Sequence, residues 1–155
     1  MKFLLIPLLV LVNGCMLDNI SPTRKLNESI RDMNDASRWG RIDLAVQFVE
    51  PTYQASFLKA RYRWGRQFRI ADTELIRLDI DSEQDQAIAF MAISWYSIDQ
   101  MTLHNTVVRQ VWKEHDGHYL MIAEAVFEGD ALLMQGPTKT VTEAGPQAIS
   151  GAPPS

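Results

Sequence analysis

The chain has 155 residues, with 15 Lys and Arg against 19 Asp and Glu and a formal net charge of −4. That length holds one domain with a substantial core, and the acidic balance argues against non-specific nucleic-acid binding. A single cysteine excludes an intramolecular disulfide and a cysteine-based metal site, so burial alone must hold the fold.

Met1 and Lys2 precede an apolar run over residues 3–12 (FLLIPLLVLV), and Asn13, Gly14 and Cys15 follow. A basic start, a short apolar centre and a small residue before a cut make a secretory signal. The run has ten residues and contains Pro7, whereas a membrane-spanning helix needs about 20. A plain secretory signal would leave Cys15 as an unpaired thiol in an oxidising compartment. Val12-Asn13-Gly14-Cys15 resembles the lipobox of bacterial lipoproteins. The resemblance implies that residues 1–14 are a cleaved signal peptide and that Cys15 is acylated, so the membrane is a partner through that lipid. Lipoproteins kept at the inner membrane usually carry Asp after the cysteine. Met16 stands there instead, which implies the outer membrane, facing the periplasm. Without Lys2 the mature chain carries a net charge of about −5.

Residues 15–25 read as a lipidated polar tether, and residues 26–130 as the folded domain. Leu26, Ile30, Met33 and Ser37 recur at helical spacing, with Asn27 or Ser29 available as an N-cap. Ile42, Ala45, Val46 and Val49 form a second stripe after Gly40. Pro51 should end that helix and open a third, on which Tyr53, Phe57, Ala60 and Trp64 share a face before Gly65.

The pattern then turns to period two. Ile76, Leu78 and Ile80 alternate with Arg77, Asp79 and Asp81, and residues 87–98 are apolar on both faces, as a central strand would be. Residues 103–115 and 118–126 flank Asp116-Gly117, a strong hairpin signal. A two-residue turn sets His115 against His118, Trp112 against Met121, Arg109 against Glu124 and Val107 against Val126. Residues 131–155 read as a disordered tail; residues 135–155 hold four prolines, three glycines and no aromatic residue.

Helices followed by an antiparallel meander is an α+β pattern. With Val111-Trp112…Asp116-Gly117-His118-Tyr119, the order over residues 26–126 resembles the NTF2-like superfamily. The resemblance implies N-terminal helices packed on a curved antiparallel sheet, a cone. That superfamily includes ketosteroid isomerase-like and polyketide cyclase-like enzymes, transport factors and domains with no activity, and shares no catalytic residue set.

Candidate chemistry is sparse. The chain has no Gly-x-Ser-x-Gly, no His-Glu-x-x-His and no glycine-rich phosphate loop, so no catalytic residue, metal or cofactor is assigned. His115 and His118 with Glu114 and Asp116 lack a third strong ligand at a fixed spacing. Lys59, Arg61, Arg63, Arg66 and Arg69 read as a solvated basic face. Trp95, Tyr96 and Trp112 are candidates to line a pocket. Val107, Val111, Leu120 and Ile122, with Val126, are expected on the sheet face away from the helices, as an interface for a homodimer or an envelope protein. The function expected is binding of a protein partner or small apolar ligand. The alternative is an isomerase- or cyclase-like enzyme using a carboxylate and a tyrosine in the cavity between helices and sheet.

Overall fold

The computed structural model describes residues 21–83 and 85–137. The expectations for the signal segment, for Cys15 and for residues 138–155 lie outside the described residues.

Helix α1 spans Pro22–Arg38. It begins four residues before Leu26, inside the stretch read as tether, because Ser21 caps it and Pro22 occupies its first turn. Leu26, Ile30, Met33 and Ser37 are all buried along it, as the spacing predicts, and Asn34 is buried with them. The second stripe splits into α2, Ile42–Ala45, and a 3-10 turn, Val46–Phe48. Val49 leaves helical geometry to bridge Met121 in parallel, and the Glu50 N–H donates to the Met121 carbonyl at 3.0 Å. This covers part of an otherwise open sheet edge. Helix α3, Gln54–Ala60, follows.

Strands β1 (Phe68–Asp81), β2 (Gln86–Ser97), β3 (Leu103–His115) and β4 (His118–Gly129) form one antiparallel sheet in the order β1-β2-β3-β4. The architecture is α+β, with α1 packed on a four-stranded antiparallel sheet. Ala87, Ala89, Met91, Ile93 and Trp95 of β2 and Val108 and Trp112 of β3 meet Leu26, Ile30, Met33 and Phe57 in one core. On the opposite, outer face, Phe90 is buried by Phe127, edge-on at 4.9 Å, and by the Arg77 guanidinium, 3.7 Å from its ring.

The hairpin turn is as expected: Asp116 and Gly117 both have positive φ, +50° and +80°. His115 pairs with His118 and Trp112 with Met121. Beyond that point the expected register fails. A β-bulge between Val111 and Trp112 inserts one residue into β4, so Glu124 pairs with Gln110, Arg109 with Ala125 and Val126 with Val108. A second irregularity sets Val107 against Glu128. Side chains alternate with period two, so one extra residue exchanges the faces downstream. Glu124 and Val126 therefore turn toward the helices, and the expected Arg109–Glu124 pair is replaced.

Structure continues past residue 130. Ala131–Met134 forms a 3-10 turn capped by the Asp130 side chain; Leu133 is fully buried, and the Trp64 indole donates to its carbonyl at 3.0 Å. These residues fall in the stretch read as tail; Leu132, Leu133 and Met134 supply apolar surface that the following residues lack. Gly129 is required just before them: with φ +86°, any β-carbon would collide with the Asn105 carbonyl.

Candidate functional site

A buried polar constellation is assembled from four elements. Arg61 follows α3 one helical turn after Phe57, which aims it at the sheet. Glu124 reaches the same place through the bulge in β4. Arg61 Nη1 and Nη2 donate to Glu124 Oε2 and Oε1 at 2.7 and 2.8 Å, and the side chains are 0% and 1% exposed. Gln110 Nε2 donates to Glu124 Oε1 at 2.8 Å and to Asn34 Oδ1 at 3.0 Å. Asn34 Nδ2 returns a bond to Gln110 Oε1 at 3.2 Å and holds the Ile30 carbonyl at 2.8 Å. The guanidinium also lies 3.8 Å from the Phe57 ring centroid and 4.8 Å from that of Trp64. Among the described residues, the buried side-chain atoms without a hydrogen-bond partner are Arg61 Nε and Trp112 Nε1.

Tyr53 binds the same strand, but through backbone. Its hydroxyl donates to the Glu124 carbonyl at 2.9 Å and accepts from the Glu124 N–H at 3.0 Å. Burial pushes its pKa above 10.0; the hydrogen bond to the Glu124 backbone opposes this, the Glu124 charge adds to it, and Arg61 opposes it. Tyr119 is also raised, by burial and then by the charges of Glu114 and Asp85. A tyrosine whose folded pKa exceeds its unfolded value contributes stability in full below the unfolded value, about pH 10. That contribution is lost as pH rises through the folded value. An ultraviolet titration of the folded chain should thus contain a late-ionising component that Tyr53→Phe reduces. A Tyr53→Phe profile identical to the parent's would contradict this placement.

Two clefts on the described surface lie away from the ion pair. One of about 400 Å³ sits between the first turn of α1 and the turn end of the sheet. Leu26, Ile80, Ala87 and Tyr119 give it apolar walls, and Asp85 and Glu114 are at its rim. A second, about 450 Å³, is lined by Pro51, Lys113, His115, Leu120 and Ile122. Neither lining includes Glu124, Arg61 or Gln110.

The three aromatic pocket candidates are not brought together. Trp95 and Trp112 are fully buried in the core. Trp95 stacks on His104 at 4.5 Å and donates to Thr106 Oγ1 at 2.9 Å, while Tyr96 points to the outer face opposite Leu103. Val107 and Val111 are half-buried on that outer face, and Leu120 and Ile122 line the second cleft; Val126 is not with them. Arg61 departs from the solvated basic series; the one local signal is the spacing of four through Tyr53, Phe57 and Arg61 on the buried helix face, which Arg63 and Arg66 do not share. Among the described residues, no group of three or more His, Cys, Asp or Glu is placed to hold a metal ion, and no helix is long and apolar enough to cross a membrane.

No protein-family model matches the chain, and no curated protein matches it. Among solved structures, the fold is similar to that of a SEC-C motif containing protein from Rhodopseudomonas palustris, determined in solution. The TM-score is 0.55 at 8% identity, over 69% of this chain and 89% of that one. At that identity the likeness concerns the fold alone.

Proposed function

We propose that this chain is a periplasmic lipoprotein, held at the outer membrane by acyl chains on Cys15, whose NTF2-like domain binds a partner without catalysing a reaction. The observation that carries the non-catalytic part is the state of Glu124. Both carboxylate oxygens are engaged by Arg61 and one also by Gln110, and the side chain is 1% exposed, so the acceptor site left on Oε2 is shut away from any substrate. General base catalysis requires such a group within reach of the proton it takes. The isomerase-like alternative asks for a buried carboxylate beside a tyrosine, and Glu124 and Tyr53 are neighbours. Yet the tyrosine engages the backbone of Glu124, and an arginine neutralises the carboxylate.

Two surfaces suit the binding role. The cleft of about 400 Å³ beside α1 has the apolar walls a small ligand would need. The outer sheet face, with Val107 and Val111, is where a second copy or an envelope protein would pack. The order of helices before a meander, with bulges in the sheet that bend strands, supports the NTF2-like reading.

The lipid supplies attachment by simple arithmetic. Each buried methylene is worth about 0.8 kcal/mol and one chain anchors only marginally, whereas two or three chains anchor durably. Cys15→Ser should abolish acylation and move the protein out of the membrane pellet or leave it unprocessed. Membrane fractionation decides this, and unchanged pelleting of the processed variant would sink the lipoprotein reading.

A further inference from the structure

The two ends of the sheet differ in chemistry. At one end, the β1–β2 turn carries Glu83 and Asp85 and the β3–β4 turn carries Asp116; Asp85 and Glu114, near the end of β3, line a cleft together with Pro22 at the start of α1. At the other end, the β2–β3 turn, whose one acid is the exposed Asp99, meets the segment after α3, where the Ile98 N–H donates to the Gln67 carbonyl at 2.9 Å. Arg69, Tyr96 and Leu103 form one row there across β1, β2 and β3. Leu103 is 61% exposed and Met101, in the turn, 71% exposed; Tyr62 and Ile98 are exposed as well. The Arg66 guanidinium lies over the Tyr62 ring at 5.2 Å. Both Arg66 and Arg69 are exposed, and neither is ion-paired among the described residues.

Met101 is the telling residue. Its φ is +55°, a conformation that glycine or asparagine adopts readily and a methionine does not. The fold therefore bears a backbone cost to hold a long apolar side chain in water, and gains no burial in return. Local rules broken without a structural gain point to function, and a flexible thioether is well suited to a contact surface.

We infer that this end is a docking tip for an acidic segment of a partner protein, with Met101 and Leu103 entering an apolar notch and Arg66 and Arg69 meeting its carboxylates. The inference rests on the lipoprotein reading for its orientation. Helix α1 has 17 residues, about 25 Å of rise, and its far end reaches the tip side, where Arg38 donates to the Ala71 carbonyl. The five residues between Cys15 and Ser21 extend at most roughly 18 Å. An upright domain thus keeps its acidic end at the membrane and its tip in the periplasm. A second copy anchored in the same leaflet has its own acidic end at the membrane too, so it does not offer that end to the tip.

The test uses the full chain in cells, with Leu103 replaced by the photoreactive residue p-benzoylphenylalanine and, as a control, Glu83 replaced instead. The expected result is an adduct from Leu103 and not from Glu83, mapping to an acidic stretch of another envelope protein. Arg66→Glu with Arg69→Glu should lower its yield by about tenfold or more, with membrane fractionation unchanged. A synthetic peptide of the mapped stretch should bind the purified chain starting at Met16, which retains every described residue. Met101→Gly should weaken that binding while raising the melting temperature. The inference is overturned by no adduct, equal adducts from both positions, or an adduct to a second copy or to residues 138–155 of the same chain. It is equally overturned by binding of the Met16 chain to phosphatidylglycerol vesicles through the tip, or by a Met101→Gly variant that binds as the parent does. Cys15→Ser scores the anchor separately, so the two readings fail independently.

Discussion

Glu124→Ala will lower the unfolding free energy by about 3–5 kcal/mol, because it leaves the Arg61 guanidinium buried without its counter-charge. The Arg61 side chain is fully buried and the pairing is bidentate. Gln110 loses an acceptor in the same step. A domain of this size has roughly 5–15 kcal/mol in total, so the variant should unfold at a much lower denaturant concentration or fail to accumulate. The charge itself is the cause, which makes a second variant informative. Arg61→Met with Glu124→Leu removes both charges and keeps apolar volume, and buried pairs exchanged in that way are often neutral. The double variant should recover most of the loss. If Glu124→Ala costs less than about 1 kcal/mol in urea titration, the pair opens to water and behaves as a surface salt bridge.

Trp95→Ala will cost a similar amount, about 3–5 kcal/mol, as large-to-small changes of buried aromatics do. Trp95 is fully buried, 4.7 Å from the Phe68 ring and stacked on His104. Its indole donates to Thr106 Oγ1, whose own proton goes to the Asp130 carbonyl at 2.6 Å. That relay ties the central strand to the turn that seats Leu133. Trp95→Phe should be milder, on the order of 1–2 kcal/mol, since Thr106 keeps its acceptor and no donor is orphaned. Denaturant melts of the two variants provide the comparison. A Trp95→Ala loss below about 1 kcal/mol would mean that the site tolerates a hole, and would revive its candidacy as a pocket wall.

The lipid reading and the fold class draw on different parts of the chain, and their legibility differs for physical reasons. The segment ending at Cys15 is a local pattern of charge, apolarity and a unique thiol, read without any knowledge of tertiary contacts. The α1 stripe is equally local: residues spaced by three and four must share a face, and Leu26, Ile30, Met33 and Ser37 are buried together. The turn at Asp116-Gly117 follows from backbone sterics, which is why the first hairpin pairs fall where the sequence places them. A bulge has no comparable signature. In the run from Met121 to Phe127 apolar residues lie on both sides of Glu124, so nothing in the pattern marks where one residue is looped out.

That single inserted residue decides the candidate site. It turns Glu124 inward, brings it to Arg61, and converts an expected cross-strand pair with Arg109 into a buried one made 63 positions apart in sequence. Arg61 among its basic neighbours, and Leu133 at the head of a proline-rich stretch, were likewise assigned to solvent by composition. Packing against Phe57, Trp64 and β4 assigned them to the core. Alone, the sequence determined what short-range sterics and periodicity control: the helical stripe, the hairpin turn and the α+β order. Only the tertiary structure decided which charges are buried, which aromatics fill the core and which apolar side chains remain in water, because those outcomes depend on register and long-range contact.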